Sequence, residues 1–250
     1  MELTHERLEV YRLYLDFAGV AGDLVAGMAE RIAVLNHLDR ASESIGVNLL
    51  HANAQSPGSA QRISYLDISI ASAHECAASL DVCLAKRAID GGIHRTALCQ
   101  LWRIRGMLLG LKRVAVNEVR EDAVPYGTPR FPFSELNMYR LSLEGVRWTH
   151  DLVAALELKA RMRRKLDIST TGTVLNIAEG HGRQSVADQN RFMKTAEEHA
   201  LQTILALDLM VARREALPSQ VVDGKSISTQ VISMLHGWCA KNEKRGREPG

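Results

Sequence analysis

The chain has 250 residues, 46% apolar and only 5% aromatic, and 31 Lys and Arg against 29 Asp and Glu leave a net charge of +2. So small an excess does not by itself argue for a nucleic-acid partner. Six prolines, and long stretches rich in Ala, Leu, Arg and Glu, argue against sandwiches and barrels and for packed helices. The charge is uneven, at −2 over residues 1–135 and +4 over residues 136–250, which makes the second half the candidate for a polyanion-facing surface.

In chain order, the start MELTHERLEV is charged and carries no apolar signal-peptide core. No uncharged apolar run approaches membrane-spanning length, so a soluble cytoplasmic protein with no membrane partner is expected. Helices are predicted near Leu8–Leu35, Arg40–Ala54, Ser59–Arg87 and Gly92–Val116. The next segment, Asn117 to Glu135, holds Pro125, Pro129, Pro132 and Gly127, cannot continue a helix through its middle, and reads as a linker.

A helix capped by Ser134 is then predicted from Leu136, with Tyr139, Leu143, Val146, His150, Val153 and Leu156 as its apolar stripe. Its expected end is the basic run Arg161-Met162-Arg163-Arg164-Lys165, since cations suit a helix C-terminus. Asp167 is the expected cap of a second, shorter helix that stops at Gly180 or Gly182 in left-handed geometry. Ser185 opens a third helix, running to about Arg214 and closed by Pro218, and a last helix covers about Ser226 to Lys241. The polar tail EKRGREPG should fray.

The halves repeat one another. At an offset of 128, Leu8, Tyr11, Arg12, Leu13 and Leu15 meet Leu136, Tyr139, Arg140, Leu141 and Leu143; Asp23-Leu24-Val25 meets Asp151-Leu152-Val153, and Asn48 meets Asn176. After a one-residue gap the offset is 127, pairing Tyr65 with Phe192, Leu80-Asp81 with Leu207-Asp208, Arg87 with Arg214, and Met107-Leu108 with Met234-Leu235. A register held over about a hundred residues marks a duplication. The expected architecture is all-α, with two tandem antiparallel four-helix bundles: residues 1–116, a linker 117–135, residues 136–242, and a tail 243–250.

The second copy carries Asn176-Ile177-Ala178-Glu179-Gly180-His181-Gly182-Arg183-Gln184-Ser185, followed by Arg191-Phe192-Met193. This resembles the four-helix-bundle family of 23S ribosomal RNA intervening-sequence proteins, which includes the accessory variability proteins of diversity-generating retroelements. The resemblance implies a small, basic, non-enzymatic protein without a cofactor. It also implies RNA or cDNA as a ligand, a reverse transcriptase as a possible partner, and a ring-like homo-oligomer. The first copy departs from the signature, with Asn48-Leu49-Leu50-His51-Ala52 and no Gly-x-Gly-Arg. A covalent pair of units also fits poorly with a five-unit ring. The alternative is a structural assembly module that makes no direct nucleic-acid contact.

Phosphate-binding candidates are Arg161, Arg163, Arg164 and Lys165, then Arg183, Arg191 and Lys194, then Arg213 and Arg214. No aromatic platform for single strands is evident. Asn176, Glu179, Gly180 and Gly182 read as structural, with Glu179 bridged to Arg183 or Arg191 and Asn176 bonded to backbone at a tight contact between helices. An enzyme is not expected. The only Glu-x-x-His spacing is Glu2 to His5, phosphate-loop and nucleophile-elbow motifs are missing, and His74, His199, Cys76 and Cys83 suit core positions. No metal site is expected.

Overall fold

The computed structural model describes residues 7–28, 32–116, 130–156, 158–183 and 185–245. Those residues form eight α-helices and no strand: α1 (Glu9–Gly27), α2 (Ala33–Ala54), α3 (Ala60–Ala85), α4 (Gly91–Ala115), α5 (Asn137–Ala155), α6 (Ala160–Gly182), α7 (Val186–Ala212) and α8 (Val222–Arg245). The chain divides into two compact units. Unit 1 takes residues 1–31, 35–80 and 89–131; unit 2 takes residues 32–34, 81–88 and 132–250.

Unit 2 is an antiparallel four-helix bundle in which α5 packs on α6, α6 on α7, α7 on α8, and α8 back on α5. At one end Met162 and Leu166 of α6 meet Ala206, Leu207 and Met210 of α7, closed by Leu158, Ala216 and Val221. Midway along the α6–α7 seam the Thr203 hydroxyl donates to Ser169 Oγ at 2.8 Å. Small residues hold this seam close. A Cβ on Gly172 would lie 2.6 Å from the His199 ring, and one on Gly180 would lie 2.9 Å from Phe192 Cβ.

Unit 1 closes the same ring. Tyr14 of α1 lies against Gly46 of α2, Ser69 of α3 donates to the Ile45 carbonyl of α2, and Lys112 of α4 pairs with Asp67 of α3 at 2.7 Å. At the α2–α3 crossing, Ser44 and Ser72 hydrogen-bond at 2.7 Å. Their repeat counterparts are Gly172 and His199, so one crossing is filled by two matched hydroxyls and the other by a bare backbone under an imidazole. By length and composition α3 would suit a membrane span, but 78% of its most apolar window is buried.

The two halves match in backbone detail. α1 and α5 both have 19 residues and open behind an uncapped extended leucine, Leu8 or Leu136. Asn48 and Asn176 each donate to the carbonyl four residues back, both at 2.8 Å. Behind α3 the amide of Ala88 donates to Cys83 O at 2.9 Å, and behind α7 Glu215 donates to Met210 O at 2.8 Å. Between them Arg87 and Arg214 hold φ of 55° and 58°, giving two helix ends of one kind.

Several expected boundaries move. α1 ends at Gly27 rather than Leu35, because Val34, Leu38, Ala41, Ile45, Leu49 and Ala52 form one buried stripe of α2. Asp167 lies inside α6 and caps nothing there. Its carboxylate instead accepts the Ala33 amide at 2.8 Å, at the start of α2. α6, with 23 residues, is longer than α5 rather than shorter. It stops at Gly182, one of the two expected glycines, but the residue that follows, Arg183, is extended rather than left-handed, and its carbonyl is held by Gln189 at 2.8 Å.

Ser134 lies in a short 3-10 turn, Pro132–Glu135, and gives its carbonyl to Arg140 instead of capping α5. Ser185 does cap α7, accepting the Asp188 amide at 3.0 Å. α8 begins four residues earlier than expected and runs to Arg245, into the segment read as tail. Residues 117–129 of the expected linker and residues 246–250 of the tail lie outside the described residues, as does the Glu2–His5 pair.

Candidate nucleic-acid interface

The basic run does not close a helix; it opens one. α5 stops at Ala155 and α6 starts at Ala160, which places Arg161, Arg163, Arg164 and Lys165 in the first two turns of α6. Arg161, Arg163 and Arg164 are exposed and Lys165 half-buried. Among the described residues none of the four has a carboxylate within 4.0 Å, whereas Lys159, just before them, approaches Glu215 at 3.9 Å. A helix N-terminus carries about half a positive charge, so each cation there costs roughly 0.3–1 kcal/mol. Local stability does not account for this cluster.

Arg213 and Arg214 follow α7 and are exposed at the same end of unit 2. The apolar cluster joining Met162 and Leu166 to Leu207 and Met210 fixes that placement, as does Lys159 beside Glu215. The remaining cations lie elsewhere. α6 spans about 34 Å at 1.5 Å per residue, and Arg183, Arg191 and Lys194 belong to its far end.

There Arg183 is turned inward. Its guanidinium pairs with Glu179, as expected, and stacks 4.8 Å from the centre of the Phe192 ring. Arg191 stacks on the same ring at 4.9 Å and meets Asp188 at 3.3 Å. Phe192 is thus shared by two guanidiniums, each already engaged. Lys194 is exposed one turn on. Asn176 bonds within its own helix, to Gly172 O, rather than across to another.

Sequence reading missed a polar cluster in unit 2. The end of α3 and the turn after it, residues 81–88, rest on α5 and α6. The Tyr139 hydroxyl donates to Asp81 at 2.8 Å, Arg87 donates to Asp151 at 2.7 Å, and buried Lys86 pairs with Asp167 and donates to Thr171 Oγ1 at 2.7 Å. Burial, with Asp81 beside it, pushes the Tyr139 hydroxyl well above its ordinary pKa. Burial likewise raises the Cys83 thiol to about 12, against a smaller opposing pull from Lys86. The repeat alignment already contained Tyr139, Asp151, Asp81 and Arg87, but nothing in it says that they touch.

No group of three or more His, Cys, Asp or Glu side chains suited to a metal occurs among the described residues. Comparison of the chain with protein-family models, with curated proteins and with solved structures finds no match.

Proposed function

We propose that this protein binds RNA or complementary DNA without catalysing a reaction, through the cationic end of α6 in unit 2. The observation that carries the reading is the cluster Arg161, Arg163, Arg164 and Lys165, with no carboxylate within 4.0 Å among the described residues, at a helix end whose dipole adds to its potential. Contact with the phosphate backbone, without base reading, is the chemistry such a cluster supports. A reverse transcriptase as protein partner rests on the resemblance carried by Asn176 to Ser185 alone. Arg183 and Arg191 are left out of this surface because Glu179, Asp188 and Phe192 occupy them.

The test is binding of a labelled single-stranded RNA by fluorescence anisotropy at two salt concentrations. Four phosphate contacts give a log–log slope of about −3, or roughly a 50-fold loss of affinity between 50 and 200 mM salt. The variant Arg163→Glu with Arg164→Glu should weaken binding most, and Lys194→Glu little. Affinity that ignores salt, or a double variant that binds like the parent, overturns the reading.

A further inference from the structure

We infer that an unpaired nucleobase of the bound strand seats in a cleft between the end of α7 and the start of α8, beside the cations that hold its phosphates. The inference rests on the phosphate-binding reading and adds a preferred strand form to it. The cleft has a volume of about 530 Å³, within the range of roughly 300–1,000 Å³ that small organic ligands fill. Val211, Ala212, Pro218, Val221 and Val222 give it a mostly apolar lining. The turn that shapes it is held at both ends. Past Ala212 the left-handed Arg214 lets the amides of Glu215 and Ala216 return to Met210 O, and Gln220 Oε1 accepts the Leu217 amide at 2.8 Å.

The cleft lies among the cations. Val221 belongs to the apolar cluster that contains Leu158 and Met162, which ties the cleft to the start of α6 and so to Arg161, Arg163 and Arg164. Arg213 and Arg214 directly follow Ala212, and both are exposed. A strand held by the two groups passes the mouth of the cleft. Arg213 and Arg214 thereby join the phosphate-binding set.

Two polar groups interrupt the apolar lining. Asp208 and Lys225 bridge each other at 2.6 Å, with side chains 52% and 39% exposed. So exposed a pair is exchanged at little cost. Opened, it offers one acceptor and one donor side by side. The Watson–Crick edge of every base carries donors and acceptors in the same way, and shows them only when the base is unpaired. The pair therefore selects unpaired over paired bases without choosing a sequence. Val222 and Leu217, 57% and 64% exposed, present aliphatic faces on which a ring can lie. A duplex keeps its bases stacked and their edges bonded, and offers this surface only phosphates.

The test is fluorescence anisotropy of one labelled RNA, single-stranded and annealed to its complement, at one low salt concentration. Charge alone favours the duplex, whose phosphates are more closely spaced. The parent should nevertheless bind the single strand more tightly, by about fivefold or more, the low end of what one stacked base contributes. Ala212→Leu, which fills the cleft from an exposed position, should bring the single strand down to the affinity of the duplex and leave the duplex unchanged. Val222→Ser, at a second exposed position, should do the same, and both variants should keep the parent's helical spectrum. Arg163→Glu with Arg164→Glu should weaken both forms alike. Equal, salt-dependent affinity of the parent for the two forms, or a single-strand preference that survives both cleft substitutions, overturns the inference and leaves the phosphate reading standing. Binding of neither form, or affinity that ignores salt, overturns both.

Discussion

Arg87 and Arg214 stand 127 residues apart and both occupy the left-handed region, at φ 55° and 58°, where glycine is the usual residue. An arginine there carries a Cβ penalty of about 1–2 kcal/mol. Its retention at both places points to work done by the guanidinium, and for Arg87 that work is visible as the bond to Asp151.

Replacing Arg214 with glycine should accordingly raise the urea unfolding free energy of the chain by about 1 kcal/mol. Arg87→Gly should gain less, because the exposed pair to Asp151 is lost with it. Equal destabilisation by both substitutions would mean that the arginine side chains, not the backbone, dominate these turns.

Two glycines of α8 should answer alanine with opposite signs. A Cβ on Gly224 would overlap the Trp148 ring, whereas one on Gly237 meets nothing within 4 Å. Gly224→Ala is expected to cost about 1–3 kcal/mol through the displaced indole. Gly237→Ala should add about 1 kcal/mol through helix propensity. Thermal denaturation of the two variants decides the matter, and a shared sign contradicts the packing described for α5 against α8.

Lys86 is buried with its charge against Asp167. Lys86→Met should destabilise by about 3 kcal/mol, since it strands a carboxylate in a half-buried site. Adding Asp167→Asn should recover much of that loss, because the amide oxygen still accepts the Ala33 N–H without needing a counter-charge. A double variant no better than the single would show the pair to be net stabilising in itself.

Alkaline pH should unfold the protein in a defined window. Cys83 and Tyr139 both have folded pKa values raised above the ordinary 9.0 and 10.0, so folding favours their neutral forms. The stability they lend is complete below pH 9 and falls as pH rises toward about 12 for Cys83, with Tyr139 adding to the fall above pH 10. Unfolding free energy measured from pH 8 to 11 should decline, and Tyr139→Phe should flatten the part above pH 10. A profile as steep in that variant excludes Tyr139 as a contributor.

The helical class and the helix count were legible because apolar spacing is a local property of the chain. The start of α6 was not. A run of four cations reads as a helix C-terminus when dipole preference is the only guide, and Asp167 reads as the cap that follows. Both readings fail for the same reason: Asp167 is spent on Ala33 and Lys86, partners about 134 and 81 residues away in sequence. The break between α1 and α2 was hidden likewise, since the group that caps Ala33 lies in the other repeat. Among candidate site residues, the Glu179–Arg183 bridge could be anticipated from closeness in sequence. The inward turn of Arg183 over Phe192 could not.

Unit 2 is not a contiguous stretch of polypeptide: residues 32–34 and 81–88 complete a body otherwise built from residues 132–250. Severing the chain between Val116 and Arg130 would therefore remove two pieces from the covalent strand that needs them, while leaving Lys86 still lodged against Asp167. A nicked molecule should travel as one particle until denatured. Neither half, expressed alone, should reproduce the bundle that the intact strand folds.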